Sequence, residues 1–331
     1  MADTGGCNNE RKRNWNRENR TQGEFSRALE RFFDDSTVLA ALARANDGKV
    51  GAPFKVPDCV IEWGMRQIAA KNATYREVAA GISCKLEDIG LPRISYSQFH
   101  KRGRRLKIHL GTTDVTDGRV LAFGSGNVMP SSEPIIVAID STGLSPDRPS
   151  GWRVFHWNQK SVRGWYKLHA AVNVETNEIL AYVITEPYYG DSLAFDKLMK
   201  IVQGDGHNVV KVLADAAYDN KHYWNSMKEE GIEFIANIRG SLDPKKRSCG
   251  CGRFKGCSVR GKHILRILEV GREQWKGEVG YGTRWKVEST FSDLKRMFGD
   301  CIRARGRDAV ADMIYWIVSA HNLYKSIRAS L

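Results

Sequence analysis

Apolar and polar positions follow one spacing in the first third of the chain and another after it. Up to about residue 110 the apolar residues recur every three or four positions. Phe25, Leu29, Phe32 and Phe33 fit one helix, and a second is predicted from about Asp58 to Ala70. TYREVAAGI and SYSQFHKRGRRLKIHL predict two more, opening on Thr74-x-x-Glu77 and Ser95-x-x-Gln98. Such pairs satisfy the free N–H groups of a first helical turn. From Ile135 the pattern becomes one of strands. IIVAID (135–140) and VVKVLAD (209–215) are continuous apolar runs that end in a carboxylate, as buried central strands do. GWYKLHAAVNV and EILAYVIT flank the turn Glu175-Thr-Asn177 and predict a hairpin. Helices are expected at 191–202 and 220–231, the second stopped by Gly231, with a further strand at 234–238.

The expected order is three strands, helix, strand, helix, strand and a late long helix. It is the order of an RNase H-like fold, so the reading is α/β: a mixed-sheet catalytic domain over 135–331 with a basic insertion at 240–280. A helical DNA-binding region over 25–110 precedes it. Residues 1–24 are polar and read as a disordered basic arm, and the Gly-, Ser- and Thr-rich stretch 111–134 reads as a linker. The helix carrying Lys101, Arg102, Arg104 and Arg105 follows a shorter helix and a turn. It reads as the second helix of a helix-turn-helix or as part of a plain helical subdomain, and is a DNA-contact candidate under both readings.

Charge narrows the class of partner. The net charge is +13, and residues 239–308 hold 18 Lys and Arg against 8 Asp and Glu. Clustered positive charge points to a polyanion, usually nucleic acid. No apolar run is long enough for a membrane span, and the polar N-terminus lacks the apolar core of a secretory signal. A cytoplasmic, nucleoid-associated protein with no membrane partner is expected. The seven cysteines are odd in number and scattered, which favours reduced thiols. Cys249, Cys251, Cys257 and His263 allow a zinc site, but the spacing does not match the usual C-x2-C pairs, and loose thiols explain them as well.

The segment YGTRWKVESTFSDLK carries Tyr281, Arg284, Glu288 and Lys295 at offsets that fall on one stripe of a helix. Val287, Phe291, Leu294 and Phe298 form the apolar stripe beside it. In the predicted sheet the first and fourth strands are neighbours, so Asp140 and Asp215 come side by side with Glu288 packed across them. Three converging carboxylates repel one another unless cations intervene. Asp219 rivals Asp215, but it falls in a turn before a helix, where capping explains it. Lys167 and His169 share one face of the second strand, near the site or as structural residues. Trp275 reads as a platform for an unpaired base or as ordinary packing beside Val270 and Val279.

From about Ile135 to Ile327 the chain resembles the DDE transposases of bacterial and archaeal insertion sequences, the branch with a Y-R-E-K signature in the insertion-sequence 4/5 superfamily. The resemblance implies that Asp140, Asp215 and Glu288 are catalytic ligands of two Mg²⁺ (or Mn²⁺) ions roughly 4 Å apart. It implies that Tyr281, Arg284 and Lys295 meet DNA. The implied partners are the double-stranded inverted-repeat ends and the target DNA, with a homodimer assembled on them. The implied activity is cleavage and strand transfer. Two rivals stay open: an adopted, catalytically silent DNA-binding protein, and a structure-selective nuclease of the same fold.

Overall fold

The computed structural model describes residues 15–30, 35–106, 120–124, 128–130, 132–146, 166–239, 258–302, 304 and 307–331. The N-terminal helices are α1 (Trp15–Glu30), α2 (Asp35–Asn46), α3 (Asp58–Lys71), α4 (Tyr75–Asp88) and α5 (Tyr96–Arg105). Both expected capping boxes form. Glu77 N–H donates to Thr74 Oγ1 at 3.2 Å while Thr74 N–H donates back to Glu77 at 2.7 Å, and Ser95 and Gln98 do the same. Gly103 does not break α5. A Cβ there would sit 2.8 Å from the Met65 sulfur, so glycine is what lets α5 lie against α3.

Helix α1 begins inside the stretch read as a disordered arm. Its sequence is polar because only a narrow stripe is covered: Thr21, Phe25 and Leu29 are buried. Burying two such apolar side chains contributes roughly 1.5–3 kcal/mol each. The stripe docks on a C-terminal helix, where Phe25 meets Tyr324 edge to face at 5.5 Å and Arg17 donates to the Arg328 carbonyl at 2.8 Å.

Strands β1 (Val120–Gly124), β2 (Ile135–Pro146), β3 (Tyr166–Asn173) and β4 (Ile179–Thr185) come next. They are followed by a 3-10 turn (Asp191–Ala194), α6 (Phe195–Gly204), β5 (Val209–Ala214), a second 3-10 turn (Ala216–Tyr218), α7 (Lys221–Glu229) and β6 (Glu233–Ala236). Then come α8 (Val259–Val270), α9 (Arg272–Glu278), a third 3-10 turn (Tyr281–Arg284), α10 (Trp285–Phe298), the short β7 (Cys301–Ile302) and α11 (Arg307–Ser330). No helix among the described residues is long and apolar enough to cross a membrane.

The sheet order is β1-β4-β3-β2-β5-β6, with β7 beside the far end of β2. β2, β3 and β4 form an antiparallel meander, and β5 and β6 run parallel to β2. This is the α/β RNase H-like arrangement. β1 adds an antiparallel edge strand to β4 from within the stretch read as a linker. The turn residues around it masked a strand of five residues.

Alternation along the strands separates two cores. Ala138, Leu168, Ala170 and Tyr182 face α3, α10 and α11, whereas Val137, Ile139, Ala171 and Val183 face α6, α7 and α8. The long α11 is fastened to the sheet by Asn322. Its side chain accepts from Ile179 N–H at 2.9 Å and donates to Ile179 C=O at 2.8 Å, beside the irregularity at Ala171/Val172.

Candidate active site

In the parallel pair β2–β5 the last register partners are Ile139 and Ala214. The next residues along the two strands are Asp140 and Asp215. Both carboxylates therefore leave the sheet at one level, at the carboxyl end of β5, where α/β sheets place ligands. Asp140 does not end its strand, as the sequence suggested. β2 runs on to Pro146, paired with β3.

Each carboxylate is held by local backbone. Ser141 N–H donates to Asp140 Oδ1 at 2.8 Å, and Ala217 N–H donates to Asp215 Oδ1 at 2.6 Å, capping the 3-10 turn. The other oxygen of Asp215 has no hydrogen-bond partner among the described residues. Glu288 stands on the first turn of α10, more than half exposed, and Arg284 four residues earlier bonds to it. The same guanidinium donates to Asp140 Oδ2 at 3.1 Å, so Arg284 bridges two of the three carboxylates.

The segment 281–284 is a 3-10 turn rather than the first turn of one straight helix. Tyr281 consequently points inward. Its hydroxyl donates to the Ala214 carbonyl at 3.1 Å, and its ring lies 5.9 Å from the Arg284 guanidinium. Tyr281 thus ties the start of α10 to the strand end beside Asp215 and is buried, which leaves its expected DNA contact without an exposed surface.

Burial pushes the Asp140 carboxyl above its usual range. The Ser141 N–H and Arg284 pull it down, and Asp215 pushes it up again. The donors are carboxylate oxygens, the ligand type that Mg²⁺ and Mn²⁺ take. Among the described residues no three His, Cys, Asp or Glu side chains stand close enough to hold an ion together. In kind the donors fit a divalent cation. In place, the cationic Arg284 stands between Asp140 and Glu288, paired with both.

Residues 131–323 match the family described as Transposase DDE domain. The chain belongs to the DDE transposase family. A solved structure titled Drosophila P element transposase strand transfer complex aligns with 89% of this chain and 70% of its own, at 14% identity and a TM-score of 0.33. That superposition is too loose to support any residue correspondence.

Within the transposase domain, Asp219 is separated from Asp215 by its surroundings. Its carboxylate accepts from Arg260 Nε at 2.7 Å and from a second Arg260 nitrogen at 2.5 Å. It also accepts from the Arg239 N–H at 2.7 Å and the Trp224 indole N–H at 3.0 Å. Burial pushes this carboxyl up, and those donors more than reverse it, so its pKa lies below the usual range. Asp219 fastens α8 to the end of β6 and has no oxygen left for an ion.

Trp275 is fully buried, with its indole N–H donating to His263 Nδ1 at 3.1 Å. The His263 ring lies 5.0 Å from Trp224 and 5.9 Å from Trp275. Trp275 therefore packs rather than offering a platform for a base. A neutral His263 that accepts at Nδ1 carries its proton on Nε2, which leaves no lone pair for zinc. Cys249, Cys251 and Cys257 lie outside the described residues.

The basic residues divide in the same way. Arg102 donates to the Val56 carbonyl at 2.7 Å and pairs with Asp58 at the start of α3, so it serves the helical region. Lys101, Arg104 and Arg105 are exposed. On α10 Arg296 pairs with Asp293, as does Lys325 from α11, whereas Lys295 forms no ion pair among the described residues. Lys167 and His169 face away from Asp140, on the other side of the sheet. Lys167 Nζ meets Asp191 at 2.5 Å and His169 Nδ1 lies 3.4 Å from it. Burial lowers the His169 pKa to about 4, with Asp191 opposing and Lys167 adding to the fall, so the ring is neutral.

Asp191 went unread in the sequence. It accepts from Ser141 Oγ at 2.8 Å and so supports the residue whose N–H holds Asp140. Its only signal was an acid at the start of a helix, which reads as capping. The buried Lys325–Asp293 pair, 2.6 Å between α11 and α10, was missed because 32 residues separate its members.

Proposed function

We propose that this transposase belongs to the insertion-sequence branch with the Y-R-E-K signature. It binds the terminal inverted repeats of its own element, cuts the DNA and joins the freed 3′-hydroxyls to target DNA. The supporting observation is the register of β2 and β5, which brings Asp140 and Asp215 together at one strand end, with Glu288 on α10 linked to Asp140 through Arg284.

Asp140, Asp215 and Glu288 hold two divalent cations, Mg²⁺ or Mn²⁺. When bound, such ions supply activation of an attacking oxygen and charge stabilisation at the leaving one. Arg284 exchanges its carboxylate partners for a DNA phosphate, which suits its planar fork. Lys295, two turns along α10, meets the next part of the backbone. Lys101, Arg104 and Arg105 on α5 meet the repeat outside the cleavage site, and their phosphate contacts give binding a steep salt dependence. The protein works as a homodimer on paired ends, at the nucleoid in the cytoplasm.

The test is to incubate the protein with the DNA that flanks its own gene, with and without Mg²⁺ or Mn²⁺, and to map 3′ ends and joined products. Metal-dependent cuts at the repeat ends followed by joining are expected. Cutting without joining makes the protein a nuclease, and binding without cutting makes it an adopted DNA-binding protein. Both outcomes overturn the proposal.

A further inference from the structure

Arg260 and Arg284 bind acids in different ways. Arg260 turns its fork on one carboxylate, that of Asp219. Arg284 divides its fork between two. One terminal nitrogen donates to Asp140 Oδ2 at 3.1 Å, and the other bonds to Glu288. These two acids stand on different elements, β2 and α10, and the guanidinium spans them. Two parallel bonds to a single carboxylate are the strong form of this pairing. A split fork gives up that geometry and bridges two acids instead.

The bridge is also accessible. Arg284 ends the third 3-10 turn, whose backbone Tyr281 ties to the Ala214 carbonyl, but its head group reaches the surface. The Glu288 side chain is 54% exposed, against 1% for Asp219. The Asp219 pair is therefore sealed, and the Arg284 bridge opens to solvent at its Glu288 end. Among the described residues no three His, Cys, Asp or Glu side chains converge closely enough to hold an ion, and one guanidinium joins two of the acids. A guanidinium and a divalent cation answer the same repulsion between carboxylates, so they compete for the same oxygens.

We infer that Arg284 is a stand-in cation that keeps the site closed without DNA: its guanidinium withholds Asp140 and Glu288 from a divalent cation until a DNA phosphate draws it away. The inference rests on the proposed reading of the three acids as a cation site and adds an order of events to it. Apparent cation affinity is lowered in proportion to the fraction of molecules in which the bridge is open. A phosphate offers the guanidinium a bidentate partner and so raises that fraction. DNA and cation then tighten each other's binding by one and the same factor, as linkage requires. Such couplings run from about five- to 150-fold. The chain free of DNA stays poorly loaded and therefore does not cut.

Arg284→Met keeps an apolar stem and removes the head group, and Arg284→Gln is the second variant should the first fold poorly. Lys286→Met is the charge control. It removes a cation two residues along, whose ammonium lies 5.0 Å from the Trp285 ring and pairs with no acid among the described residues. Asp215→Asn tests the site itself. Mn²⁺ binding to the intact, DNA-free chain is read by electron paramagnetic resonance. The expected result is a Kd lowered about tenfold in Arg284→Met and unchanged in Lys286→Met. A pre-cut repeat duplex with a dideoxy 3′ end, which cannot be joined, then gives DNA affinity with and without Mn²⁺. The ion should tighten wild type about tenfold more than Arg284→Met. Unchanged or weakened Mn²⁺ binding in Arg284→Met, with binding lost in Asp215→Asn, overturns the role of Arg284 and leaves the cation site standing. An equal gain in Lys286→Met reduces the effect to net charge and overturns it as well. Equal tightening of the duplex in wild type and Arg284→Met overturns release by DNA. Wild-type Mn²⁺ affinity in Asp215→Asn overturns the cation site and the inference together.

Discussion

Asp219 gives its two oxygens to four hydrogen bonds, from Arg260 twice, Arg239 and Trp224. Asp215, four residues earlier, accepts one backbone N–H and leaves an oxygen open among the described residues. Both follow the same apolar strand, and in the sequence they compete for one role. The contrast extends to their neighbourhoods. Around Asp219 the charges cancel and the carboxyl is held below its usual pKa. Beside Asp215, Asp140 and Glu288 share one guanidinium, and Asp140 is held above its usual pKa. A satisfied buried acid secures the fold. An acid left short of partners stores negative charge for something that binds later.

The largest effect expected from this contrast is on stability. Asp219→Ala strands Arg260 and two N–H donors, and should lower the unfolding free energy by roughly 3–5 kcal/mol, read from urea titrations. A loss below about 1 kcal/mol would mean that the cluster is not a structural anchor.

A second, slightly smaller effect comes from buried histidines. Burial, with Lys325 adding, depresses His321 to about 4, and His169 falls to about 4 as well. A depressed histidine contributes fully above its unfolded pKa near 6.5, and the contribution is lost as pH falls toward 4. For His321 alone that is about 3 kcal/mol between pH 6.5 and 4. Asp219 and Asp293, whose pKa values are lowered, lose their contribution only below about 3.8. Unfolding followed against pH should therefore show the histidine loss first, and His321→Asn should reduce it.

At the opposite pole the sign reverses. Asp140 has a raised pKa, so its ionised form opposes folding above that pKa. Asp140→Asn should stabilise the metal-free protein at pH 7 by roughly 1 kcal/mol while removing cleavage. A destabilised variant would place Asp140 with Asp219 among the structural acids. The smallest stability change is expected on α5. Replacing Lys101, Arg104 and Arg105 with Ala should alter stability by less than about 0.5 kcal/mol. The log–log salt slope of DNA binding should fall by about 0.9 per lost phosphate contact.

The apolar runs of β2 and β5 and the carboxylates that follow them were legible in the sequence, because buried parallel strands leave a continuous pattern. The capping boxes were legible for the same reason, since their partners lie three residues apart. What escaped depends on contacts across long separations. Helix α1 is polar over most of its surface, and its burial depends on Tyr324 and Arg328 at the far end of the chain. Residues 281–284 keep helical spacing in sequence yet wind as a 3-10 turn, which moves Tyr281 from the surface to the Ala214 carbonyl. Trp275 and His263 resemble ligand-binding residues until each is seen to be the partner of the other. Asp215 and Asp219 differ in no feature of the sequence that reveals Arg260, which lies 41 residues beyond Asp219.

The direct comparison is single-turnover cleavage of terminal-repeat DNA by Asp215→Asn and Asp219→Asn, each scaled to its folded fraction at a temperature where both are native. Asp215→Asn should be slowed by roughly a thousandfold or more, and Asp219→Asn should cut at the wild-type rate per folded molecule. Wild-type cleavage by Asp215→Asn, or a folded but inactive Asp219→Asn, would contradict the assignment of Asp215 to chemistry and Asp219 to structure.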